Sequence, residues 1–361
     1  MFTLRALIGA ALTVASVTVG TTAPATANSG GDHVRCSEAA LKQAVFDVNA
    51  AGGGTLRLAK HCTYTLTTPD NDSNGLPVIT TKITILGNDS TIRRVSATDF
   101  RIFQIDGPNG DLTLKDLTVR DGHTSGRGGG IWLRASGARL TLDAVTLTKN
   151  FSDLQGGAIA SDNGNAVTVR ASKLSYNTAR FSGAMDLESS IAEVRNSDIT
   201  GNTSRNSIGG IYSNGTLTLD HSRVTDNSAG LFGGGIYSEK IGAGTATATL
   251  NDTVVRGNTA AGTNTLGGGI YNTGGSTLVL NRTQVFANRV IGSGGQGGGI
   301  ANDFGSIATL TDSSVTYNFA NTAPGGIFNS GATTTLISTV VTNNNPTNCT
   351  PSAPPVTGCV N

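Results

Sequence analysis

The sequence predicts an all-β chain folded as a single-stranded right-handed parallel β-helix, a solenoid with three short strands per coil and an N-terminal capping helix. Two observations carry this. Between residues 129 and 327 the chain repeats, eight times, Gly, then Gly or Ala, then a large apolar residue, and each time an apolar-x-x-Asn segment follows about seventeen residues later. The spacing of 25 to 34 residues is that of a stacked repeat, in which each unit buries its apolar face only against its neighbours.

At the start of the chain, Arg5 precedes an apolar, small-residue stretch from Ala6 to Val19, and Ala25-Thr26-Ala27 supplies a cleavage signal. Residues 1–27 therefore read as a signal peptide. The mature chain is expected to begin near Asn28 and to be secreted into the extracellular space, with no membrane attachment after cleavage. Residues 28–70 read as an N-terminal cap. Ser37 caps a helix whose Leu41, Ala44, Val45 and Val48 form one apolar stripe, Gly52, Gly53 and Gly54 end it, and strands Thr55 to Leu58 and Tyr64 to Thr67 follow. The solenoid proper spans 71–345, entered through the strand Ile83 to Leu86. Pro346, Pro351, Pro354 and Pro355 stop strand propagation in a C-terminal cap loop over 346–361.

Within the solenoid, the copies align on Asn150, Asn177, Asn202, Asn227, Asn258, Asn288, Asn318 and Asn344. Three places before each Asn the residue is Leu, Ile or Val, and eight places before it is Leu or Val. Small Ser, Thr or Val stands at minus five. Two short strands separated by a bend account for this period, and the Gly-Gly-Ile segment is the third. A ninth, earlier copy has Gly122 in the Asn column, which predicts a left-handed backbone there, since Gly and Asn tolerate it best. Stacked Asn side chains are expected to hydrogen-bond along the axis.

The four cysteines lie in two pairs near the ends, and a rigid stack of about nine coils at ~4.8 Å each keeps those ends too far apart to bridge. Cys36–Cys62 and Cys349–Cys359 are the expected disulfides, closing caps whose sheet edges would otherwise be open. Only 14% of residues are charged and the net charge is +1, with no basic run. A nucleic-acid partner requiring many phosphate contacts is excluded on that balance, and a monomer is expected.

Function has to be read from the outward faces. If each Ile of Gly-Gly-Ile points inward, the residues before it, from Gly130 and Ala158 to Gly326, form an outward column of nothing larger than Ala. The residues after it are Trp132, Ala160, Asp186, Tyr212, Tyr237, Tyr271, Ala301 and Phe328. A shallow trench bordered by aromatic rings suits a sugar chain, with Trp132, Tyr212, Tyr237 and Tyr271 as binding residues. Asp186 interrupts the column, Glu188 lies two places on, and Asp162 takes the place of Glu188 one coil earlier. Adjacent coils bring Asp162 and Glu188 within roughly 5 Å at Cα. Three carboxylates together supply an acid and a base for glycoside hydrolysis, or oxygen ligands for Ca²⁺. His123, Arg127, Arg180 and Arg205 precede this strand and would neutralise a uronate, leaving a base to remove its α-proton. His123 and Arg180 are placed with the carboxylates as catalytic candidates, and Arg127 and Arg205 with the aromatics as substrate-binding ones.

A separate outward column, Thr113, Thr141, Thr168, Thr218, Thr249, Thr309 and Thr335, resembles the threonine arrays of ice-binding solenoids but is interrupted by Glu193 and Val279. His61 and His221 lack metal-ligand spacing.

The helix, Gly-Gly-Gly-Thr-Leu and Tyr-Thr-Leu within Ala39 to Leu66 resemble the entry segment of the pectin-lyase-like β-helix superfamily. The repeats, above all Gly156-Gly157-Ala158-Ile159, resemble those of chlamydial polymorphic outer-membrane proteins, with Leu, Ile or Val where those have Phe and with no C-terminal membrane barrel. These resemblances imply a fold. Neither the paired Asp signature of polygalacturonases nor the Trp-x-Asp-His or Arg-x-Pro-x-x-Arg motifs of pectate lyases is present, so they carry over no catalytic residue. The sequence thus leaves two functions open: a protein that binds an extracellular polysaccharide, with its cleavage as lyase or glycoside hydrolase undecided, and a non-catalytic adhesin or surface-binding repeat protein for a polysaccharide or cell-surface glycan.

Overall fold

The computed structural model describes residues 33–361, so the expected signal peptide lies outside the described residues. From Gly53 onward the chain winds through coil after coil, about ten in all, and the strands stack into three parallel sheets of 19, nine and eight strands. The largest sheet holds both strands that flank the bend, such as Thr216–Asp220 and Arg223–Thr225. The Gly-Gly-Ile strands, such as Ile211–Ser213, make the second. A further pairing of two residues per coil, such as Thr178–Ala179 against Thr203–Ser204, makes the third. Two residues are too few to show a periodicity, and these strands left no trace in the pattern.

The core follows the expected columns. Leu142, Val169, Val194, Leu219, Leu250, Leu280 and Leu310 are fully buried, as are Ile131, Ile159, Met185 and Ile211 of the second sheet. At the N-terminal end Ser37 caps the helix Glu38–Ala50, its Oγ accepting from the Ala40 N–H at 3.3 Å, and Leu41 and Val45 pack onto the first coil. Both local disulfides, Cys36–Cys62 and Cys349–Cys359, are formed. They fit an oxidising compartment. Among the described residues no helix is long and apolar enough to cross a membrane. The threonine column lies outward on the first sheet in continuous register, with Glu193 and Val279 in it.

The Asn column stacks as expected. Asn227 donates through Nδ2 to Oδ1 of Asn258 at 2.9 Å and to the Ile199 carbonyl at 3.0 Å, and its backbone N–H donates to the same Oδ1 at 3.0 Å. The left-handed backbone, however, sits one residue earlier, at Asp121, Lys149, Tyr176, Asp226, Ala287 and Tyr317, with φ between 54° and 60°. Asn is in its column for its side chain and not for its φ. Gly122 replaces it for want of space, because a Cβ there would stand 2.1 Å from the Gly129 carbonyl oxygen.

Candidate functional site

The second sheet aligns Trp132, Ala160, Asp186, Tyr212, Tyr237, Tyr271, Ala301 and Phe328 in one register, as the sequence predicts. The trench beside them does not exist. Ala158 and Ala184 are fully buried, and a Cβ on Gly235 or Gly269 would lie 3.0 Å from the side chain of Asn258 or Asn288. The chain turns a corner at Gly-Gly, so two successive positions face inward and the alternation restarts only at Ile. Small residues are required there because the Asn ladder packs on them.

Nor does the aromatic ladder offer free ring faces. Tyr237 stacks on Tyr271 at 5.0 Å and 17°, Tyr212 lies 5.6 Å from Tyr237, and Phe232 lies 5.6 Å from Tyr271. Trp132 carries the Arg101 guanidinium 4.7 Å from its ring centroid. The ladder gives up its rings at Ala160 and Asp186, which are only 1% and 3% exposed, and again at Ala301. Trp132 and Tyr212 flank the first interruption, three coils or roughly 14 Å apart.

Arg127 governs this interruption. Its Nη1 donates to Asp162 Oδ1 at 2.6 Å and to Glu188 Oε2 at 3.0 Å, its Nη2 bonds to Glu188 Oε1, and its Nε donates to Gln155 at 2.7 Å. Trp132 Nε1 donates to the same Asp162 oxygen at 3.1 Å. The expected neighbours Asp162 and Glu188 are therefore bridged by a guanidinium that reaches across two coils. Burial works against the charge on Arg127, but the bond to Glu188 and the fields of Asp162 and Asp186 outweigh it and hold the group protonated. A guanidinium stands where Ca²⁺ would have to bridge the two carboxylates.

Asp186, expected at the surface, is 3% exposed. Its Oδ2 accepts from the Ser182 hydroxyl at 2.5 Å. Burial, reinforced by the charges of Glu188 and Asp162, pushes its pKa up to about 7, against the opposing hydrogen bond from Ser182 and the attraction of Arg127. The raised value brings the carboxyl toward the range in which a general acid or base works. Ser182 was not singled out in the sequence; its place four residues before Asp186 is a signal only once the corner between them is known. Tyr212, across the interruption, has its phenol pushed up by burial and by Glu239, Asp186 and Glu188.

His123, Arg180 and Arg205 are not part of this cluster. Among the described residues no hydrogen bond or ion pair joins their side chains to Asp162, Asp186 or Glu188. His123 bonds to Asp99 at 3.0 Å and sets its ring edge-on to Phe151. Arg180 and Arg205 line a separate cleft of about 290 Å³ with Phe151, Ser152, Asp153 and Asn206. This cleft shares Arg205 and Asn206 with a second, of about 430 Å³, that ends at Leu231 and Phe232. Arg180 lies over Phe181 at 5.1 Å and Arg205 over Phe151 at 5.0 Å, and among the described residues neither has a carboxylate within salt-bridge distance. The grouping failed because these residues occupy different places in the coil: His123 lies in a strand of the third sheet, Arg180 and Arg205 follow that sheet's strands directly, and Arg127 lies further on, next to the Gly-Gly corner. Arg127 leans over the second sheet, whereas Arg180 and Arg205 lie on rings beside the third.

His221 has more company than its spacing predicted, since the bend brings it within 2.9 Å of Asp220 and 4.0 Å of Asp252. Arg282 already holds Asp252 through two bonds of 2.7 Å.

Residues 101–285 match the family described as right-handed beta helix region. No curated protein matches the sequence. Among solved structures, the A-module of mannuronan C-5 epimerase AlgE4 of Azotobacter vinelandii is 12% identical, with 87% of this chain and 95% of that one covered at a TM-score of 0.49. The A-module of AlgE6 from the same organism is also 12% identical, with 86% and 93% covered at 0.47. A tailspike protein of the Escherichia coli bacteriophage HK620, solved in complex with a pentasaccharide, is 13% identical, with 86% and 60% covered at 0.31.

Proposed function

The chain belongs to the right-handed β-helix family, and from that premise we propose that it is a secreted protein that binds an acidic extracellular polysaccharide and cleaves it with Asp186 as the proton-transfer group. The observation that carries this reading is the interruption of the aromatic ladder by a buried carboxyl that titrates near neutrality, beside an arginine shared between two other carboxylates.

Acidic sugars are favoured over neutral ones by the cations. A uronate entering the interruption competes with Asp162 and Glu188 for Arg127, and the unpaired Arg180 and Arg205 offer planar donors to further acidic groups along the chain. Among bond-breaking routes, this arrangement suits β-elimination. Arg127 would hold the sugar carboxylate and Asp186 would take the α-proton. The electron pair then forms the new carbon–carbon double bond as the glycosidic C–O bond breaks, and the leaving oxygen takes its proton from water, Asp186 later releasing the abstracted one to solvent. Hydrolysis through the same carboxyls is the alternative chemistry.

Incubation with a panel of neutral and uronic polysaccharides tests the reading, with ultraviolet absorbance reporting unsaturated ends and a reducing-sugar assay reporting hydrolysis. Asp186→Asn should abolish turnover and leave binding intact, because the amide keeps the shape and loses the titrating proton. Tyr212→Ala should weaken binding by about 1 kcal/mol. The mutual stacking of Tyr212, Tyr237 and Tyr271 favours a second reading, a non-catalytic glycan-binding solenoid. Binding lost in Tyr212→Ala without turnover in the parent would select it. Unchanged binding in Trp132→Ala and Tyr212→Ala would remove the site from this face.

A further inference from the structure

We propose that the cleft holding Arg180 and Arg205 is a binding site for a sulfate ester carried on a sugar. This assignment rests on the glycan reading for the saccharide, and adds to it the substituent and its place, outside the Asp186 cluster.

Asp153, Arg180 and Arg205 stand one coil apart in a single row, each just after a two-residue strand of the third sheet. Backbone bonds fix the row: the Phe181 N–H donates to the Leu154 carbonyl at 3.0 Å and the Arg205 N–H to the Ala179 carbonyl at 3.1 Å. Arg180 lays its guanidinium on Phe181, while Arg205 reaches back over two coils to Phe151. Stacking of this kind occupies a face of the guanidinium and leaves its N–H edge available. Among the described residues neither edge is used, since neither side chain donates a hydrogen bond and Asp153 forms no ion pair with either.

The charges and donors of the cleft select the ligand. Two guanidiniums and one carboxylate leave a balance of one positive charge, which suits a monoanion and is exceeded by a phosphate monoester, at about −1.5 to −2 near neutrality. A carboxylate is also a monoanion, but its two oxygens are matched by one guanidinium fork. A sulfate ester has three free oxygens, so two can meet one fork while the third meets the other. The adjoining cleft fits the sugar that bears the ester. It shares Arg205 and Asn206 with the first, and the Asn206 amide and Ser207 hydroxyl, neither hydrogen-bonded among the described residues, offer partners for ring hydroxyls. Leu231, 40% exposed, and Phe232 then supply an apolar end for a pyranose face. Phe181 immediately precedes Ser182, the hydrogen-bond partner of Asp186, so the groove borders the segment that carries the proposed proton-transfer group.

Binding of dextran sulfate and of carboxymethyl-dextran, matched in length and charge density and measured by calorimetry at fixed ionic strength, separates sulfate recognition from general polyanion attraction. The parent should bind the sulfated polymer at least about tenfold more tightly. Arg180→Gln combined with Arg205→Gln should remove that preference and leave the circular dichroism unchanged, because both side chains are exposed. Arg256→Gln combined with Arg289→Gln takes away the same charge from two arginines that also lie on rings, Phe286 and Phe319, but outside both clefts, and should keep the preference. Inorganic sulfate should compete only at concentrations far above those of the polymer-borne groups. Equal affinity of the parent for both polymers, a preference that survives loss of Arg180 and Arg205, one that vanishes equally on loss of Arg256 and Arg289, or equally effective competition by free sulfate would each overturn the proposal. None of these results bears on Asp186, whose role is judged by turnover of an unsulfated uronic polysaccharide.

Discussion

Replacing Asp186 by Asn should make the protein more stable at neutral and alkaline pH, an unusual result for a buried residue with a hydrogen-bond partner. Folding moves this carboxyl into a site 3% exposed and raises its pKa from 3.8 to about 7. Between these values the folded chain keeps a proton that the unfolded chain releases. Stability is therefore undiminished below the lower value, declines as pH rises between the two, and stays reduced above the higher one. The free energy separating a pKa of 3.8 from one of about 7 is roughly 4 kcal/mol. Asn carries no charge and still accepts from the Ser182 hydroxyl, so it escapes this term, although it gives up the attraction of Arg127. A gain of about 2–4 kcal/mol above neutrality is expected, shrinking to nothing in mild acid. Urea unfolding of both proteins across this range measures it directly, with the parent's midpoint falling as pH rises and the variant's staying flat by comparison. Identical profiles would show that Asp186 is ionised without penalty, and its assignment as the proton-transfer group would fail.

The Asn ladder and the core give two further tests. Asn227→Ala removes the acceptor for the Asn202 backbone N–H and Nδ2, both at 2.9 Å, and should cost about 2–4 kcal/mol because the orphaned groups stay buried. Asn227→Asp should be worse at neutral pH, with a carboxylate oxygen facing the Ile199 carbonyl and Asn258 Oδ1, and should recover on acidification; thermal melts showing neither effect would make the ladder dispensable. Leu219→Asp buries an unpaired charge in a fully enclosed column, at a cost of several kcal/mol, and should prevent recovery of a folded secreted chain. A variant with the parent's circular dichroism and protease resistance would refute the coil register.

The coil was legible because its determinants are local and repeated. The period of apolar residues, the Asn column and the Gly before each Ile recur at fixed offsets, so eight copies vote on each assignment. Features that depend on how the chain turns were less visible. Alternation predicts the side of a strand correctly, as at Trp132 and Tyr212, but fails across the Gly-Gly corner, where Gly130 and Ala158 face the Asn ladder and not solvent. The site suffered from the same limit. Asp162, Asp186 and Glu188 were found together because they lie on paired strands with a fixed register. Arg127 was assigned to substrate, whereas its length lets it reach carboxylates one and two coils away, 35 and 61 residues on in sequence. His123, Arg180 and Arg205 precede the same strand as Arg127 in sequence but stand at other positions of the coil, in or just after the third sheet.

What most separates the Asp186 region from the rest of the ladder is that packing alone gives no reason for it. Stacked rings contribute roughly 0.5–1.5 kcal/mol per pair beyond their buried area, and Tyr212, Tyr237 and Tyr271 collect that contribution coil by coil. At Ala160 and Asp186 the stack is given up in two successive coils, as it is once more at Ala301, and of these three only Asp186 places a carboxyl in the column, where burial opposes its ionisation. Ser182 satisfies one of its oxygens, while Arg127, the nearest cation, bonds to Asp162 and Glu188 instead. Had neutralisation of Asp186 been the purpose of Arg127, a direct pair would have lowered the carboxyl's pKa; the observed arrangement leaves it raised, with a charged guanidinium close by and already committed to two exchangeable partners. The rigid stack thus positions a buried carboxyl of raised pKa beside a guanidinium held by two other carboxylates, the arrangement on which the proposed proton abstraction rests.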